Sequence, residues 1–85
     1  MQNDAILEVY SRPQCPNCTR LKKWLGEKKI PYNEINVDED RTAFDTLVSK
    51  GYASLPVVSV NSSKGSFEAS GFTKNVKDSI LELVS

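Results

Sequence analysis

The sequence has no histidine and only two cysteines among its 85 residues. Without histidine there is no Ser–His–Asp triad and no Cys–His protease pair. The same scarcity leaves a single chain short of the usual four zinc ligands, so we predict no metal site. Chemistry that depends on a reactive side chain is therefore expected at Cys15 and Cys18.

The chain also lacks net charge and long apolar runs. Eleven basic side chains balance eleven acidic ones, so no whole-molecule field would attract nucleic acid or an anionic membrane. No apolar run approaches the ~20 residues of a membrane span. Residues 1–30 contain no charged segment followed by an apolar stretch, the pattern of a secretory signal. We expect a soluble, cytoplasmic protein with neither a nucleic-acid nor a membrane partner.

Glycine and proline are scarce, with four of each, which argues against a disordered or low-complexity chain. An apolar fraction of 39% is ordinary for a globular protein. The chain is short for two hydrophobic cores, because domains cluster near ~100–150 residues. We therefore predict a single domain spanning residues 1–85.

The spacing of apolar residues predicts the element order β-α-β-α-β-β-α. The run Ala5–Tyr10 is mostly apolar and partly β-branched, which is typical of a strand buried on both faces. The predicted strands are 5–10, 32–37, 57–60 and 66–69, with 61–65 as the loop of a hairpin. The predicted helices are 16–29, a segment from the caps at 38–40 to Gly51, and a segment beginning after Thr73.

Apolar faces are predicted on these helices. On the first helix the spacing places four residues on one side: Cys18, Leu21, Leu25 and Lys28. Lys28 and Lys29 suit the C-terminus, where the helix dipole favours cations. On the second helix three residues share a face: Phe44, Leu47 and Val48. Phe44 is expected to pack in the core or to line a groove.

The connections between these elements predict an α/β fold. The first β-α-β unit is expected to be a right-handed parallel crossover. The third strand is expected to return antiparallel before the hairpin. This gives one four-stranded mixed sheet with three helices distributed over both of its faces.

A Cys-x-x-C pair, Cys15-Pro16-Asn17-Cys18, lies where the first strand passes into the first helix. This pattern beside a β-α-β unit is typical of a redox motif. A sulfur near the helix N-cap faces unpaired backbone N–H groups and the positive end of the dipole. We expect this position to lower the pKa of the Cys15 thiol below the ~8.5 of free cysteine. Cys15 is therefore the predicted nucleophile and Cys18 the predicted resolving thiol, with Pro16 stiffening the turn between them.

Three other roles of the cysteine pair remain open at this point. A structural disulfide would close a loop of only two residues and so restrict the unfolded chain little. A zinc half-site would need ligands from a second chain. Two inert thiols on a helix would have no chemistry at all. The position at a strand-to-helix junction favours the redox role over these three.

Several segments resemble a known family. Residues 10–18 resemble the active-site segment of glutaredoxins. Four further segments resemble, in the same order, the NrdH-type glutaredoxin-like redoxins: 36–40, Gly51-Tyr52, 55–58 and 70–72. The chain is thus similar to the glutaredoxin family, and most similar to its NrdH type, over nearly its whole length.

The resemblance implies a thioredoxin fold with a cis peptide bond before Pro56. It also implies that backbone groups of Leu55 pair with the substrate as an added strand would. Arg12 is a candidate for favouring the Cys15 thiolate or for binding a substrate carboxylate. The complete set of candidate substrate-binding residues is Arg12, Pro16, Asn17, Leu55, Pro56, Ser70, Gly71 and Phe72.

The resemblance further implies a monomeric dithiol–disulfide oxidoreductase that reduces protein disulfides and donates electrons to ribonucleotide reductase. No bound cofactor is expected, because electrons pass through the two sulfurs. The Gly-Gly-x-Asp-Asp glutathione signature is missing and Asn17 replaces the usual Tyr. Thioredoxin reductase is therefore the favoured reductant, with glutathione as the other candidate. The alternative function is a glutathione-dependent or iron–sulfur-binding glutaredoxin, in which Cys15 and added glutathione hold a cluster in a dimer.

Overall fold

The computed structural model describes residues 5–84. Its elements are β1 (Ile6–Ser11), α1 (Pro16–Glu27), β2 (Asn33–Asn36), α2 (Arg41–Ser49), β3 (Val57–Ser62), β4 (Gly65–Ser70) and α3 (Lys74–Val84). The order β-α-β-α-β-β-α predicted from the sequence is confirmed. Of the predicted domain 1–85, residues 1–4 and 85 lie outside this description.

The four strands form one mixed sheet in the order β2-β1-β3-β4. β1 runs parallel to β2, with Val9 opposite Glu34. β3 returns antiparallel to β1, with Val58 opposite Val9, and pairs antiparallel with β4. The predicted α/β class, the parallel pairing of the first two strands and the antiparallel third strand are confirmed.

Helices cover both faces of the sheet. On one face α1 and α3 pack on the strands around a core of Leu7, Val9, Leu21, Leu25, Val58, Val60, Val76 and Ile80. On the other face α2 contributes to a smaller core of Val37, Ala43, Leu47 and Val57. Because side chains alternate across a strand, Val57 faces α2 and Val58 faces α1 and α3. None of the helices within residues 5–84 has the length and apolar character to cross a membrane.

The prediction that the first strand is buried on both faces is wrong at one end. Leu7 and Val9 are buried, but Ile6 is 56% exposed. Of the residues of β1, the core under α2 includes only Tyr10. The nine residues of α2 are too few to cover the whole face, which leaves the start of β1 open to solvent.

Several element ends differ from the prediction by one or two residues. α1 ends at Glu27, two residues before the predicted Lys29, because Lys29 has a left-handed φ of 59° that a helix does not accommodate. Lys28, predicted on the apolar face, is exposed. β3 extends to Ser62 and β4 begins at Gly65, so the hairpin loop is shorter than predicted.

The apolar face of α2 is also shifted from the prediction. Ala43 and Leu47 are its buried residues, whereas Phe44 is 37% and Val48 56% exposed. Residues spaced four apart lie on the same side of a helix. Phe44 and Val48 therefore form a second apolar pair beside the buried one, at the surface.

Two glycines are expected to respond in opposite directions to substitution by alanine. Gly26 lies within α1, with no neighbouring atom within 4 Å of an added Cβ. Gly26→Ala should raise the free energy of unfolding by roughly 0.5–1 kcal/mol, because alanine loses less backbone entropy in a helix. Gly51 has an equally open surrounding but a φ of +87°. Gly51→Ala should lower the free energy of unfolding by roughly 1–2 kcal/mol, because this left-handed conformation is unfavourable for residues with a Cβ. Urea denaturation of both variants provides the measurement, and a shift of the same sign in both would contradict the prediction.

Candidate active site

Cys15 is the N-cap residue of α1, as predicted. Its backbone is extended, with φ −116° and ψ 102°, and its Sγ accepts a hydrogen bond of 3.2 Å from the Cys18 N–H. Pro16 follows as the first helical residue, where its missing N–H removes no helical hydrogen bond. The carbonyl of Cys15 accepts from the Thr19 N–H at 3.0 Å, the first hydrogen bond of the helix ladder. The sulfur therefore lies among the backbone donors that begin the helix.

Cys15 and Cys18 are joined by a disulfide, with their Cα atoms 5.2 Å apart. The two sulfurs differ in environment, because Cys15 is partly exposed and Cys18 is only 1% exposed. The side chain of Cys15 is therefore accessible from solvent, whereas that of Cys18 is shielded by the fold.

The peptide bond between Leu55 and Pro56 is cis, as the resemblance implied. Pro56 is buried and directly precedes β3. Its carbonyl accepts a hydrogen bond of 2.8 Å from the N–H of Gly71, which directly follows β4. This bond brings two of the predicted segments, Leu55-Pro56 and Ser70-Gly71-Phe72, next to each other.

A groove of about 290 Å³ begins at Cys15 and extends along α2. Three predicted site residues line it: Arg12, Cys15 and Leu55. Seven further lining residues were not predicted as site residues from the sequence: Gln14, Val37, Leu47, Val48, Tyr52, Ala53 and Ser54. Phe44, predicted for the core or a groove, also lines it. The signal for the groove was a third and fourth apolar residue on α2, beyond the two needed for the core.

Arg12 is paired with an acidic side chain. Its Nε and one terminal nitrogen each lie 3.0 Å from Asp38 Oδ1. The two side chains are 44% and 48% exposed, so water screens the pair. Arg12 is the one charged residue among those that line the groove, and Asp38 balances its charge.

Of the remaining predicted residues, Pro16 and Asn17 lie beside Cys15, and Phe72 packs against α1. Pro16 and Asn17 are exposed beside Cys15, and Asn17 Oδ1 accepts a hydrogen bond of 2.9 Å from Arg20. Phe72 packs edge-on against Trp24 of α1, with ring centroids 6.2 Å apart. Lys77 Nζ lies 5.0 Å from the centroid of the Phe72 ring. Phe72 thus contacts the helix that carries the cysteines and is not among the residues that line the groove.

A hydrogen-bonded cluster connects three elements near the site. The buried Ser11 hydroxyl donates to Glu34 Oε2 at 2.8 Å, and Lys22 Nζ donates to the same oxygen at 2.7 Å. These residues belong to β1, β2 and α1. The Lys22 hydrogen bond, followed by that from Ser11, lowers the pKa of the Glu34 carboxyl below its usual 4.5.

This cluster predicts a pH-dependent contribution to stability. Because the folded pKa of Glu34 is depressed, the contribution is present above about pH 4.5 and is lost as the pH falls through the folded value. Glu34→Gln should therefore be less stable than the wild type at pH 7, and the difference should shrink at pH 3. Urea denaturation of both proteins at the two pH values measures this. A difference independent of pH would contradict the assignment.

Among the described residues, no three histidine, cysteine, aspartate or glutamate side chains are grouped so as to hold a metal ion.

Comparison with known proteins places this arrangement in a family. The sequence model of the glutaredoxin family matches residues 7–63. The glutaredoxin-like protein NrdH of Lactococcus lactis subsp. cremoris is 37% identical over 67 residues, which are 79% of this chain and 88% of that protein. An uncharacterized glutaredoxin-like 8.6 kDa protein of Clostridium pasteurianum is 30% identical over 78 residues, 91% of this chain and 99% of that one. Among solved structures, the NrdH-redoxin of Escherichia coli matches with a TM-score of 0.74 at 26% identity, covering 87% of this chain and 92% of that one.

The chain therefore belongs to the glutaredoxin family, whose fold is the thioredoxin fold, and it is a thiol–disulfide oxidoreductase with its redox pair at Cys15 and Cys18. Within that family it is of the NrdH type, to which the Lactococcus and Escherichia proteins belong. The resemblance inferred from the sequence is confirmed. So is the redox interpretation of the cysteine pair.

Proposed function

We propose that the protein reduces disulfide bonds of other proteins, with Cys15 as the nucleophile and Cys18 as the resolving thiol. The observation that supports this most strongly is the difference between the two sulfurs. Cys15 is partly exposed at the groove and accepts a backbone N–H at the helix start, while Cys18 is buried within the first turn. Only Cys15 has both access to a substrate and hydrogen bonding that favours its thiolate.

The proposed exchange has two steps. The Cys15 thiolate attacks one sulfur of the substrate disulfide, that S–S bond breaks, and the second substrate sulfur leaves as a thiolate that takes a proton from solvent. A mixed disulfide then joins Cys15 to the substrate. Cys18 loses its proton and attacks Cys15 Sγ, which releases the other substrate sulfur as a thiol. The substrate gains two electrons and two protons, and the Cys15–Cys18 disulfide seen in the structure is the product.

Substrate contacts are proposed at the surface around Cys15. Leu55, which lines the groove before the cis bond to Pro56, would offer its backbone groups to an extended substrate segment. The exposed Pro16 and Asn17 flank the sulfur. Arg12 would bind a substrate carboxylate by leaving Asp38. Ser70, Gly71 and Phe72 are included because the Gly71–Pro56 hydrogen bond brings their segment beside the cis bond.

The proposed electron acceptor is ribonucleotide reductase, and the proposed reductant is thioredoxin reductase in preference to glutathione. Similarity to NrdH-type relatives supports the first. The Escherichia coli NrdH-redoxin is described as having a thioredoxin-like activity profile, which supports the second. The groove adds to this, since Arg12 is the one charged residue that lines it, whereas glutathione carries two carboxylates. We further propose a cytoplasmic monomer of one domain, since a pair that cycles through its dithiol suits a reducing compartment.

The reductant and the acceptor are tested in one experiment. Oxidised protein is mixed with NADPH and either thioredoxin reductase or glutathione with glutathione reductase, and NADPH consumption is followed at 340 nm. We expect the oxidised protein to be reduced rapidly by thioredoxin reductase and not by the glutathione system. Oxidised ribonucleotide reductase is then added, and deoxyribonucleotide formation that depends on this protein is expected. If only the glutathione system reduces the protein, the proposal of thioredoxin reductase as the reductant is wrong. If no deoxyribonucleotide forms, the proposal of ribonucleotide reductase as the electron acceptor is wrong.

A further inference from the structure

Tyr52 is held in place by its backbone at the end of α2. The Gly51 N–H donates to the Val48 carbonyl at 3.0 Å, and the Tyr52 N–H donates to the Leu47 carbonyl at 3.1 Å. With the positive φ of Gly51, these two bonds form a Schellman motif. The Tyr52 ring also packs in the same core as Leu47, the contact that often accompanies this motif.

The side chain of Tyr52 is held at its other end by an ion pair. Its hydroxyl donates to Glu68 Oε1 at 3.2 Å. Lys50 Nζ donates to both oxygens of the same carboxylate, at 3.3 and 3.1 Å. Glu68 lies on β4 and Lys50 directly follows α2. Burial, followed by the charge of Glu68, raises the pKa of the Tyr52 hydroxyl, so it keeps its proton and remains a donor at neutral pH.

Tyr52 also lines the groove that begins at Cys15, together with Leu55. The sulfur exchange itself needs only Cys15 and Cys18. A protein segment on either side of the substrate cysteine would lie along the groove wall, whereas a small disulfide can reach Cys15 without extending along it. The orientation of the Tyr52 ring therefore bears on the binding of protein substrates more than on the chemistry.

We propose that Tyr52 is a specificity-determining residue for protein disulfides, and that Glu68 and Lys50 are positioning residues that fix its ring in the groove wall. This proposal rests on the proposed reduction of protein disulfides. It also names the residues that determine affinity for the protein part of the substrate. A fixed ring presents a preformed surface, so less conformational entropy is lost on binding. Without the hydrogen bond to Glu68, the ring must be ordered by the substrate itself.

The test compares insulin with hydroxyethyl disulfide as substrates. Tyr52→Phe retains the ring but loses the hydroxyl, and Glu68→Ala loses the acceptor. Each is expected to raise KM for insulin roughly two- to tenfold, the range of one hydrogen bond, with a smaller change in kcat. The rise in KM for hydroxyethyl disulfide should be smaller than for insulin. The double variant should show no larger effect than either single variant, because both remove the same bond.

Three further variants serve as controls. Glu68→Gln retains an oxygen that accepts from the Tyr52 hydroxyl, so it should lie closer to the wild type than Glu68→Ala does. Asp78→Ala removes a different surface ion pair, with Lys74 on α3. Tyr32→Phe removes the hydroxyl of a partly buried tyrosine that packs against the core on the other face of the sheet. Asp78→Ala and Tyr32→Phe should both leave KM for insulin unchanged.

The outcomes separate the two proposals. If the wild type reduces insulin and KM is unchanged in both Tyr52→Phe and Glu68→Ala, the role of Tyr52 is overturned and the proposed function stands. Additive effects in the double variant, or equal losses with both substrates, would also overturn it. If the wild type reduces no protein disulfide, both proposals fall.

Discussion

Cys15→Ser is expected to abolish disulfide reduction with every substrate. The serine oxygen accepts the same backbone N–H at the start of α1 but forms no bond to sulfur that Cys18 could resolve. Cys18 is 1% exposed and cannot replace Cys15 as the attacking group. The measurement is turnover with insulin and with a small disulfide, in which activity should fall to the uncatalysed rate. Any substantial turnover by this variant would show that the roles of the two cysteines are wrongly assigned.

Cys18→Ser is the matched variant and is expected to behave differently. Cys15 still attacks, so a mixed disulfide with the substrate forms, but no sulfur within the protein displaces the substrate. With a protein substrate the covalent complex should accumulate and be visible on a non-reducing gel, then disappear when dithiothreitol is added. If Cys15→Ser trapped the complex and Cys18→Ser did not, the order of attack would be reversed.

Ile80→Ala is expected to cost about 2–5 kcal/mol in the free energy of unfolding. Ile80 is fully buried in α3, within the core shared with α1 and the sheet. Three carbon atoms would be lost from a site where the surrounding side chains have little room to close the cavity. Native domains are stable by only ~5–15 kcal/mol, and small ones lie near the lower limit. We therefore expect a clear drop in the midpoint of urea denaturation and partial unfolding at 37 °C.

Leu81→Ala on the same helix is the control for this prediction. Leu81 is the next residue of α3 but is 38% exposed, so its truncation removes less apolar surface from the interior and leaves a smaller cavity. Its cost should be well below that of Ile80→Ala in the same urea experiment. Equal costs would mean that the two side chains are equally buried in solution, contrary to this packing.

The parts of the fold that could be predicted from the sequence are those with local causes. Cys15 and Pro16 occupy the N-cap and first position of α1 because the chain there has an extended residue followed by one with a fixed φ. Leu21 and Leu25 are buried as their helical spacing predicted. These features depend on neighbours within a turn of helix, which the sequence displays directly.

The parts that could not be predicted depend on distant contacts. The sequence does not show that Ala43 and Leu47, rather than Phe44 and Val48, meet the sheet, because this depends on how α2 is rotated against it. The link from Tyr52 to Glu68 spans 16 positions and has no local signal.

Two residues with left-handed backbone conformations were also not predicted from the sequence. The left-handed conformation of Lys29 was unexpected because lysine seldom adopts it. Gln14, with a φ of 63°, lines the groove beside Cys15. It lies within the segment that resembles the glutaredoxin active site, but it was not predicted as a site residue.

The ionisation of Cys15 is the most direct test of the account, because the proposed mechanism depends on a thiolate favoured by the start of α1. The rate of iodoacetamide alkylation at Cys15 in the reduced Cys18→Ser variant is measured as a function of pH. We predict an inflection clearly below the ~8.5 of free cysteine, since the backbone donors and the helix dipole favour the anion. An inflection at or above that value would show that the helix start does not activate this sulfur, and the proposed mechanism would be wrong.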